Sequence, residues 1–273
     1  MRPAIINVMD KAARRAGRDL TRDFGEVEQL QVSRKGAADF VSAADTRAEE
    51  TLHYELMRAR PDFGFLGEEG GAQEEGDGVH RWIVDPLDGT TNFLHGLPQF
   101  AISIALEERG QIVAGIVYEP LRDELFWAEK NNGAFLHDRR LRVSARQHLS
   151  ESLIATGMPF LGHGDPDRYI PTLQAVMGEV AGIRRLGSAA LDLAYVAAGR
   201  CDGFWEFGLS IWDIAAGVLI LREAGGFVTD PTGRDRALET GDVVAGNDRV
   251  HEKLLRCIKD ADPGPQNTQN GVY

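Results

Sequence analysis

The sequence has few cysteines, no excess of positive charge and no long apolar run. Only two of its 273 residues are cysteines, Cys201 and Cys257, and neither belongs to a CxxC or Cys/His pattern. This argues against a disulfide framework and a zinc site, so we expect reduced cysteines in a cytoplasmic protein. The formal net charge is −12, and no stripe of Lys and Arg is interleaved with aromatics. We therefore expect no nucleic-acid partner.

Long apolar segments are also missing. No stretch approaches the ~20 apolar residues that a membrane-spanning helix needs. Near the amino terminus, Asn7 and Asp10 interrupt the apolar residues, so the roughly 7 to 15 apolar residues of a signal peptide are absent too. We expect no membrane partner. A hydrophobic content of 43% nevertheless allows a large core, in one domain or two intimate halves.

The most informative segment runs from residue 82 to residue 93. The apolar run from Trp82 to Val84 predicts a buried strand with Asp85 at its carboxyl end. Pro86 is expected to end the strand, and the dipeptide Asp88-Gly89 favours a turn with positive φ. Two carboxylates are thereby placed three residues apart on one tight bend.

Carboxylates at this spacing repel each other unless one is protonated or a cation lies between them. Mg²⁺ prefers oxygen ligands and combines one or two protein carboxylates with phosphate oxygens. After the bend, Gly89, Thr90 and Thr91 offer N–H groups and hydroxyls where a short helix begins, which suits an anion. An ordinary Asp-Gly turn explains neither the two acids nor the two threonines.

Two strings resemble the signatures of the inositol monophosphatase family, a group of metal-dependent, lithium-sensitive phosphatases. The first is DPLDGTTNF at residues 85–93, and the second is WDIAAG at residues 212–217. The resemblance extends from about Lys35 to Asn247. It implies a layered α-β-α-β-α sandwich, two or three Mg²⁺ ions in each site, a small phosphorylated polyol as substrate, and a homodimer.

The resemblance also implies roles for individual residues. Glu68, Asp85 and the carbonyl of Leu87 would hold the first metal ion, and Asp213 would hold the second with Asp85 and Asp88. Glu69 would lie farther out or on a weaker site. The catalytic residues would be Glu68 and the pair Thr90 and Asp45, which would orient or deprotonate the attacking water. Substrate contacts would come from Asp88, Gly89, Thr90, Thr91, Ala189, Glu206 and Asp213.

Several of these residues also have a purely structural interpretation. Asp45 follows Ser42 by three residues and Asp213 follows Ser210 by three, and both spacings are typical of a capping box. Lys35 could face the phosphate or solvent. Glu206 lies in an aromatic stretch, where a buried acid is costly, so we expect it to face a polar cavity.

The fold class predicted from the pattern is mixed α/β. We expect an amphipathic helix over residues 5–20, a strand over 27–33, a loop over 34–39 and a helix from Asp45 to Pro61. Short strands follow at 63–66 and 82–84, and an antiparallel run of strands at 100–106, 112–118 and 124–128, with shorter ones near Phe135 and Leu141.

The second half alternates between strands and helices. Strands are predicted at 153–156, 183–186, 203–207 and 243–246, and another is predicted after Gly226. Helices are predicted at 166–180, 188–198 and 248–258, and another is predicted to begin at Ser210. We expect a mobile loop at 162–166. Residues 1–261 would form a single domain, with an antiparallel half over 1–145 and an α/β half over 146–261. The tail at 262–273 would be disordered.

The sequence therefore predicts a Mg²⁺-dependent phosphate monoester hydrolase that converts inositol monophosphate and water to inositol and phosphate. Two metal ions would activate a water for in-line attack on phosphorus. The motifs leave other small esters open as substrates, namely fructose 1,6-bisphosphate, histidinol phosphate or a 3′-phosphonucleotide. A regulatory protein-binding role on the same fold is the alternative from another class.

Overall fold

A computed structural model describes residues 2–26, 32–35, 39–74 and 76–264. The helices are α1 (Ala4–Phe24), α2 (Ala43–Ala59), α3 (Thr90–Leu94), α4 (Pro166–Met177), α5 (Ala189–Ala197), α6 (Ile211–Glu223), α7 (Ala237–Thr240) and α8 (Asp248–Ala261). Strands β1–β5 are Val32–Lys35, Asp39–Ser42, Gly64–Gly67, Gly71–Glu74 and His80–Asp88. Strands β6–β10 are Ala101–Glu108, Gln111–Glu119, Glu124–Glu129, Gly133–Leu136 and Arg139–Arg140, and strands β11–β15 are Leu153–Thr156, Gly182–Arg184, Gly203–Glu206, Phe227–Thr229 and Val243–Gly246.

Some predictions fall outside the described residues. These are the first part of the strand expected over 27–33, the middle of the loop expected over 34–39, the side chain of Lys35 and the tail from residue 265. Where the backbone is described, residues 32–35 and 39–42 pair as an antiparallel hairpin, so the loop expected over 34–39 was placed too broadly.

Helices α1 and α2 form the first layer of the fold. In α1 the side chains of Ile6, Met9, Ala16 and Leu20 recur at helical spacing and are fully buried. Leu52 and Leu56 of α2 join the same core, which also includes side chains from the large sheet. The amphipathic pattern therefore fixes the face of the helix that meets the sheet.

The large sheet forms the second layer, with the order β10-β9-β8-β7-β6-β5-β3-β4 among the described strands. Most neighbours are antiparallel, as predicted, but β3 and β5 are parallel, because β4 runs antiparallel to β3 and returns the chain before β5 begins. We expected Pro86 to end β5, but β5 does not end there. The strand continues to Asp88 through a register shift, and a bulge of this kind tolerates a proline that cannot donate to the ladder.

The remaining layers come from the second half of the chain. The second sheet has the order β12-β11-β13-β15-β14 in the described residues. Helices α5 and α6 lie between the two sheets and share one core with both, while α4 and α8 cover the outer face of the second sheet. This arrangement confirms the layered α-β-α-β-α prediction.

Element boundaries in the second half differ slightly from the predictions. Helix α4 ends at Met177 and β12 at Arg184, both earlier than expected, and the short α7 was not predicted. Such a four-residue helix lacks the apolar repeat that periodicity detects. None of the described helices is both long and apolar enough to cross a membrane.

Candidate active site

The bend after Val84 is built by contacts between neighbouring residues. Asp85 is buried, and its Oδ1 accepts a hydrogen bond from the backbone N–H of Leu87 at 2.9 Å. Gly89 then takes φ 99°, and a Cβ built on it would lie 2.9 Å from the carbonyl oxygen of Gln99. Glycine is thus required both for the positive φ and for the close approach of backbone. Helix α3 begins at the next residue, Thr90, as predicted.

Thr90 connects this bend to helix α2. Its Oγ1 lies 2.9 Å from the carbonyl oxygen of Leu87 and 3.4 Å from Oδ2 of Asp45, within donating distance of both. Asp45 is buried in the first turn of α2. The side chain of Ser42 is not described, so the capping-box interpretation of Asp45 stays a prediction. The contact between Thr90 and Asp45 expected from the resemblance is present.

Asp88 is held by the second half of the chain. Its Oδ2 accepts hydrogen bonds from Oγ of Ser188 at 2.6 Å and from the backbone N–H of Ala190 at 2.7 Å. Ser188 is the N-cap residue of α5, so the start of that helix is directed at Asp88. Free N–H groups at a helix start stabilise a negative charge. The loop before α5 is therefore part of the site.

Asp213 reaches the site from the first turn of α6. Its Oδ2 accepts a hydrogen bond from the backbone N–H of Ser210 at 2.7 Å, which is half of the capping box considered above. The same carboxyl also lines the central cavity. Asp213 can therefore cap helix α6 and belong to the site at the same time. As the Ala-Ala-Gly sequence suggested, α6 packs closely, since a Cβ on Gly115 would lie 3.0 Å from Cα of Ala216.

Glu68 and Glu69 follow β3 directly. Glu49 of α2 organises this loop, because its carboxylate accepts hydrogen bonds from the backbone N–H groups of Glu69 and Gly70, both at 2.8 Å. A Cβ on Gly67 would lie 2.4 Å from Oε2 of Glu49, so glycine allows this carboxylate to approach. The predicted residue Glu68 is thereby fixed at the wall of the central cavity.

One cavity of about 460 Å³ brings most of the predicted residues together. The predicted residues in its wall are Glu68, Asp88, Gly89, Thr90, Thr91, Ala189, Glu206 and Asp213. Asp45 and Leu87 are buried and contact Thr90 of that wall, and the buried Asp85 accepts a hydrogen bond from the backbone N–H of Leu87. Glu69 lines a separate depression with His53 and Thr46. The sequence-predicted residues thus converge, apart from Glu69.

The site carries strong electrostatic repulsion. Burial raises the pKa of Asp85 well above its usual range, and the nearby charges of Glu68, Asp88 and Asp213 raise it further. Burial has the same effect on the pKa of Asp213 and of Asp45. For Asp88, burial raises the pKa to about 6, although the hydrogen bonds from Ser188 and Ala190 act against this rise. These acids would be stabilised by a bound cation.

The donors suit a hard divalent cation. All of the candidate ligands are carboxylate or carbonyl oxygens, which Mg²⁺ and Ca²⁺ prefer over zinc's nitrogen and sulfur ligands. Within the described residues, no group of three or more His, Cys, Asp or Glu side chains is arranged so that these side chains alone could hold a metal ion. Mg²⁺ does not require one, because one or two carboxylates, waters and substrate phosphate oxygens complete its six ligands. The residues therefore fit Mg²⁺.

Glu206 lies at another part of the cavity, at the end of β13. Its carboxylate abuts the backbone of Gly157, where a Cβ would come within 1.8 Å of Oε1. Burial raises the pKa of Glu206 to about 8, and the charge of Asp88 adds to the rise while Arg185 opposes it. The expectation that this acid faces a polar cavity is met. Tyr169 and Arg185 line the same cavity.

Sequence reasoning missed several residues of the site. Glu49, Gly157, Tyr169 and Arg185 come from separate parts of the chain, and none stands in either of the two signature strings. The loop expected to be mobile contributes as well. Phe160 and His163 pair through two backbone hydrogen bonds, their rings stack at 4.6 Å, and both line the cavity. Only the fold reveals this convergence.

Comparisons with known proteins agree with the geometry. The profile of the Inositol monophosphatase family matches residues 3–262. Inositol-1-monophosphatase of Mesorhizobium japonicum is 60% identical over 258 residues, which cover 94% of this chain and 97% of that protein. Nus factor SuhB of Pseudomonas aeruginosa is 46% identical over 93% of this chain and 96% of that protein. The crystal structure of extragenic suppressor protein suhB from Bartonella henselae superposes with a TM-score of 0.91 at 58% identity, covering 94% of this chain and 99% of that one.

Proposed function

The chain belongs to the inositol monophosphatase family, and from this we propose that it is a Mg²⁺-dependent phosphatase that hydrolyses inositol monophosphate to inositol and phosphate. The family and its closely related members make it a phosphoric monoester hydrolase. The metal, the substrate and the residue roles are our proposal.

The observation that carries this proposal is the meeting of acids from distant parts of the chain. Glu68, Asp88 and Asp213 come from three separate elements and line one cavity, with the buried Asp85 behind them. Burying several carboxylates together is costly without a cation. A fold that keeps them there is therefore suited to binding metal ions rather than to stability alone.

We assign the metal ligands as the family resemblance implies. Glu68, Asp85 and the carbonyl of Leu87 would hold one ion, and Asp85, Asp88 and Asp213 would hold a second. Bound Mg²⁺ would offset the charge of the phosphate and of the leaving oxygen and would make a water more acidic. A measurement of the metal content of the active protein would show whether two or three ions bind.

The residues of the chain then perform three tasks. Gly89 and Thr90 line the cavity at the start of α3, and their backbone N–H groups would bind phosphate oxygens. Glu68 and the Oγ1 of Thr90 orient the attacking water. Oδ2 of Asp45 would accept a hydrogen bond from Oγ1 of Thr90 across the 3.4 Å contact, which leaves a lone pair of that hydroxyl oxygen available to accept a hydrogen bond from the water.

The polyol would extend from the phosphate toward Glu206. A carboxyl group there binds hydroxyl hydrogens, while Ala189 at the start of α5 and Asp88 border the same space. A mixture of acceptors and the guanidinium of Arg185 fits hydroxyl groups, since each hydroxyl both donates and accepts. These cavity-lining groups are the observation that supports a polyol phosphate as the substrate.

The test is phosphate release from a panel of esters. Inositol monophosphates, fructose 1,6-bisphosphate, histidinol phosphate and a 3′-phosphonucleotide are compared with Mg²⁺, without Mg²⁺, and with Mg²⁺ plus Li⁺. We expect Mg²⁺-dependent, lithium-inhibited hydrolysis with the highest kcat/KM on inositol monophosphate. Higher kcat/KM on another ester would overturn the substrate and retain the metal chemistry, and turnover independent of metal would overturn both.

A second candidate function is a regulatory role within a protein complex. The observation that favours it is the 46% identity to a protein named as a Nus factor. An affinity-tagged Asp88→Asn variant separates the two functions, because this substitution removes an acid of the site and leaves the outer surface unchanged. Partner capture that persists in the variant supports the second role, and capture by neither form argues against it.

Two further properties belong to the proposal. We expect a homodimer, as implied by the family resemblance, and mass determination in solution tests it directly. We also expect a cytoplasmic location, which is supported by the free thiols of Cys201 and Cys257. Localisation of a tagged chain tests this second expectation.

A further inference from the structure

Asn92 on α3 joins two segments that are far apart in the chain. It is buried, with 5% of its surface exposed, and its Nδ2 donates hydrogen bonds to the carbonyl oxygens of Gln99 and Leu186, both at 2.8 Å. The carbonyl oxygen of Gly187 lies 3.3 Å from the same nitrogen. One amide group thus connects the bend of the large sheet with the segment that precedes α5, 94 positions away.

The backbone around this amide is closely packed. A Cβ built on Gly89 would lie 2.9 Å from the carbonyl oxygen of Gln99 and 3.3 Å from that of Gly187. A Cβ built on Gly187 would lie 2.9 Å from Nδ2 of Asn92. Buried carbonyl groups need a donor, and the two hydrogens of an amide can satisfy two of them at once. The two glycines therefore leave room for Asn92, which supplies the donors that these carbonyl groups require.

The segment that Asn92 holds is the one that binds Asp88. Directly after Gly187, Oγ of Ser188 donates to Oδ2 of Asp88 at 2.6 Å, and the backbone N–H of Ala190 donates to the same oxygen at 2.7 Å. Asn92 is not among the described residues that line the cavity. It can therefore act on the site only through the segment that it holds.

We propose that Asn92 is a positioning residue for Asp88, because its amide fixes residues 186 and 187 against the bend and thereby places the donors of Ser188 and Ala190. The inference rests on the proposed role of Asp88 as a metal ligand. A carboxylate that is already held in place does not have to be ordered when the ion binds, and such preorganisation favours binding. The expected effect of Asn92 is therefore on the affinity for Mg²⁺ more than on kcat at saturating Mg²⁺.

Replacement of Asn92 by alanine tests this role. The assay uses the ester that the wild-type protein hydrolyses with the highest kcat/KM. We expect the Mg²⁺ concentration for half-maximal activity to rise roughly three- to tenfold, the effect of about one lost hydrogen bond. By this account kcat at saturating Mg²⁺ should change less than about twofold. At one subsaturating Mg²⁺ concentration, the metal-induced rise in Tm should also be smaller than in the wild type, which reports binding without any substrate.

A second variant separates hydrogen-bond donation from shape. Asn92→Asp keeps the size of the side chain, but an ionised carboxylate only accepts hydrogen bonds. It should therefore need at least as much Mg²⁺ as Asn92→Ala. Wild-type Mg²⁺ dependence in Asn92→Asp would overturn the proposal, because shape alone would then be sufficient. Either variant is enough for the test if the other does not fold.

Asn92→Ala and Ser188→Ala should not act independently. Both substitutions loosen the same carboxylate of Asp88, so their effects are expected to overlap. The rise in half-maximal Mg²⁺ concentration in the double variant should be about threefold below the product of the two single effects. A rise equal to the full product would contradict a shared action on Asp88.

Asn247 provides a matched control of the same residue type. It is also 5% exposed, and its Nδ2 donates to the carbonyl oxygens of Ser144 and Arg146, each at 2.9 Å. Its Oδ1 caps α8, so Asn247→Ala should lower Tm at least as much as Asn92→Ala. Because Asn247 is not one of the described cavity residues, the half-maximal Mg²⁺ concentration should stay within about twofold of the wild-type value.

The outcomes separate this inference from the proposed function. If neither the turnover nor the Tm of the wild type changes when Mg²⁺ is added, the proposed metal site is wrong, and so is the role of Asn92. If the wild type responds to Mg²⁺ but Asn92→Ala shifts the half-maximal concentration no more than Asn247→Ala does, only the role of Asn92 is wrong. A shift confined to the variants of Asn92, with kcat nearly unchanged, supports the inference.

Discussion

Oγ of Ser188 lies 2.6 Å from Oδ2 of Asp88, although the two residues are 100 positions apart in the chain. Asp88 lies on the bend of the large sheet, and Ser188 begins a helix between the two sheets. The hydrogen bond therefore joins the two halves at the candidate metal site. It keeps one carboxylate oxygen occupied, so the other oxygen is left to face a cation.

Replacement of Ser188 by alanine tests this hydrogen bond. Loss of a hydrogen bond to a charged group costs about 1.5 to 3 kcal/mol, so the Mg²⁺ concentration for half-maximal activity should rise by about tenfold or more. A Mg²⁺ titration of the hydrolysis rate measures the shift. Ser152→Ala is the matched control, because Ser152 is buried and donates to the carbonyl of His148 in another part of the fold. Equal effects of both substitutions would contradict the assignment.

Replacement of Asp88 by asparagine should remove activity without unfolding the chain. The amide keeps the shape of the side chain but loses the charge that binds metal, so we expect kcat/KM to fall on the order of 10²- to 10³-fold or more. Tm should stay the same or rise, since repulsion with Asp85 is relieved. Asp230→Asn, at a turn outside the cavity, serves as the control and should lower Tm with normal turnover. Near-normal rates in Asp88→Asn would refute the metal site.

Metal binding should be visible in stability, independently of any substrate. The acids of the cavity repel one another, so a cation that binds only the folded protein stabilises it by about 2.7 kcal/mol at a concentration 100 times its Kd. For a chain of this size this corresponds to a rise in Tm of roughly 5 to 10 °C. Thermal unfolding with EDTA and with saturating Mg²⁺, at matched ionic strength, measures it. The rise in Tm should be much smaller in Asp85→Asn. A wild-type Tm that does not change when Mg²⁺ is added would argue against the metal site.

Glu206 should make the stability of the metal-free protein depend on pH. Its pKa is about 8 in the folded protein against the ordinary value of 4.5. Between these values the unfolded chain releases the proton while the folded protein retains it, so wild-type stability falls as pH rises through this window. Glu206→Gln has no such proton. Its Tm relative to wild type should therefore increase from pH 4.5 to about pH 8 and then level off. A difference that is constant with pH would show that the pKa is not raised.

The sequence predicted elements wherever local chemistry was distinctive. The apolar repeat of α1 and the strand-like runs with hairpin turns along β6 to β8 placed those elements correctly, and the positive φ of Gly89 followed from the Asp-Gly dipeptide. The continuation of β5 through Pro86 was not predictable, because the register shift that tolerates it depends on the pairing with β6.

For the site as well, residues in local motifs were predicted and residues that depend on long-range contacts were not. The acids at residues 68, 85, 88 and 213 were recognised because each stands in a short motif, and the fold brings them together. Residue 188 was predicted only as the start of a helix, and the side-chain contact of Ser188 with Asp88 was not predicted. Glu49 and Arg185 carry no local signal, since their partners are 20 or more positions away or lie on other elements. Long-range contacts of this kind are set by the packing of layers.

Helix α6 has a consequence for how this chain can be divided. It belongs to the second half, yet Ala216 sits against Gly115 of the first half, and the carboxylate of Glu223 accepts hydrogen bonds from the backbone N–H groups of Asn131 and Gly133, each at 2.8 Å. A break near residue 145 would leave two fragments, each exposing a broad apolar surface that the other normally covers. Neither fragment should fold alone, whereas co-expressed fragments should reassemble and regain activity together.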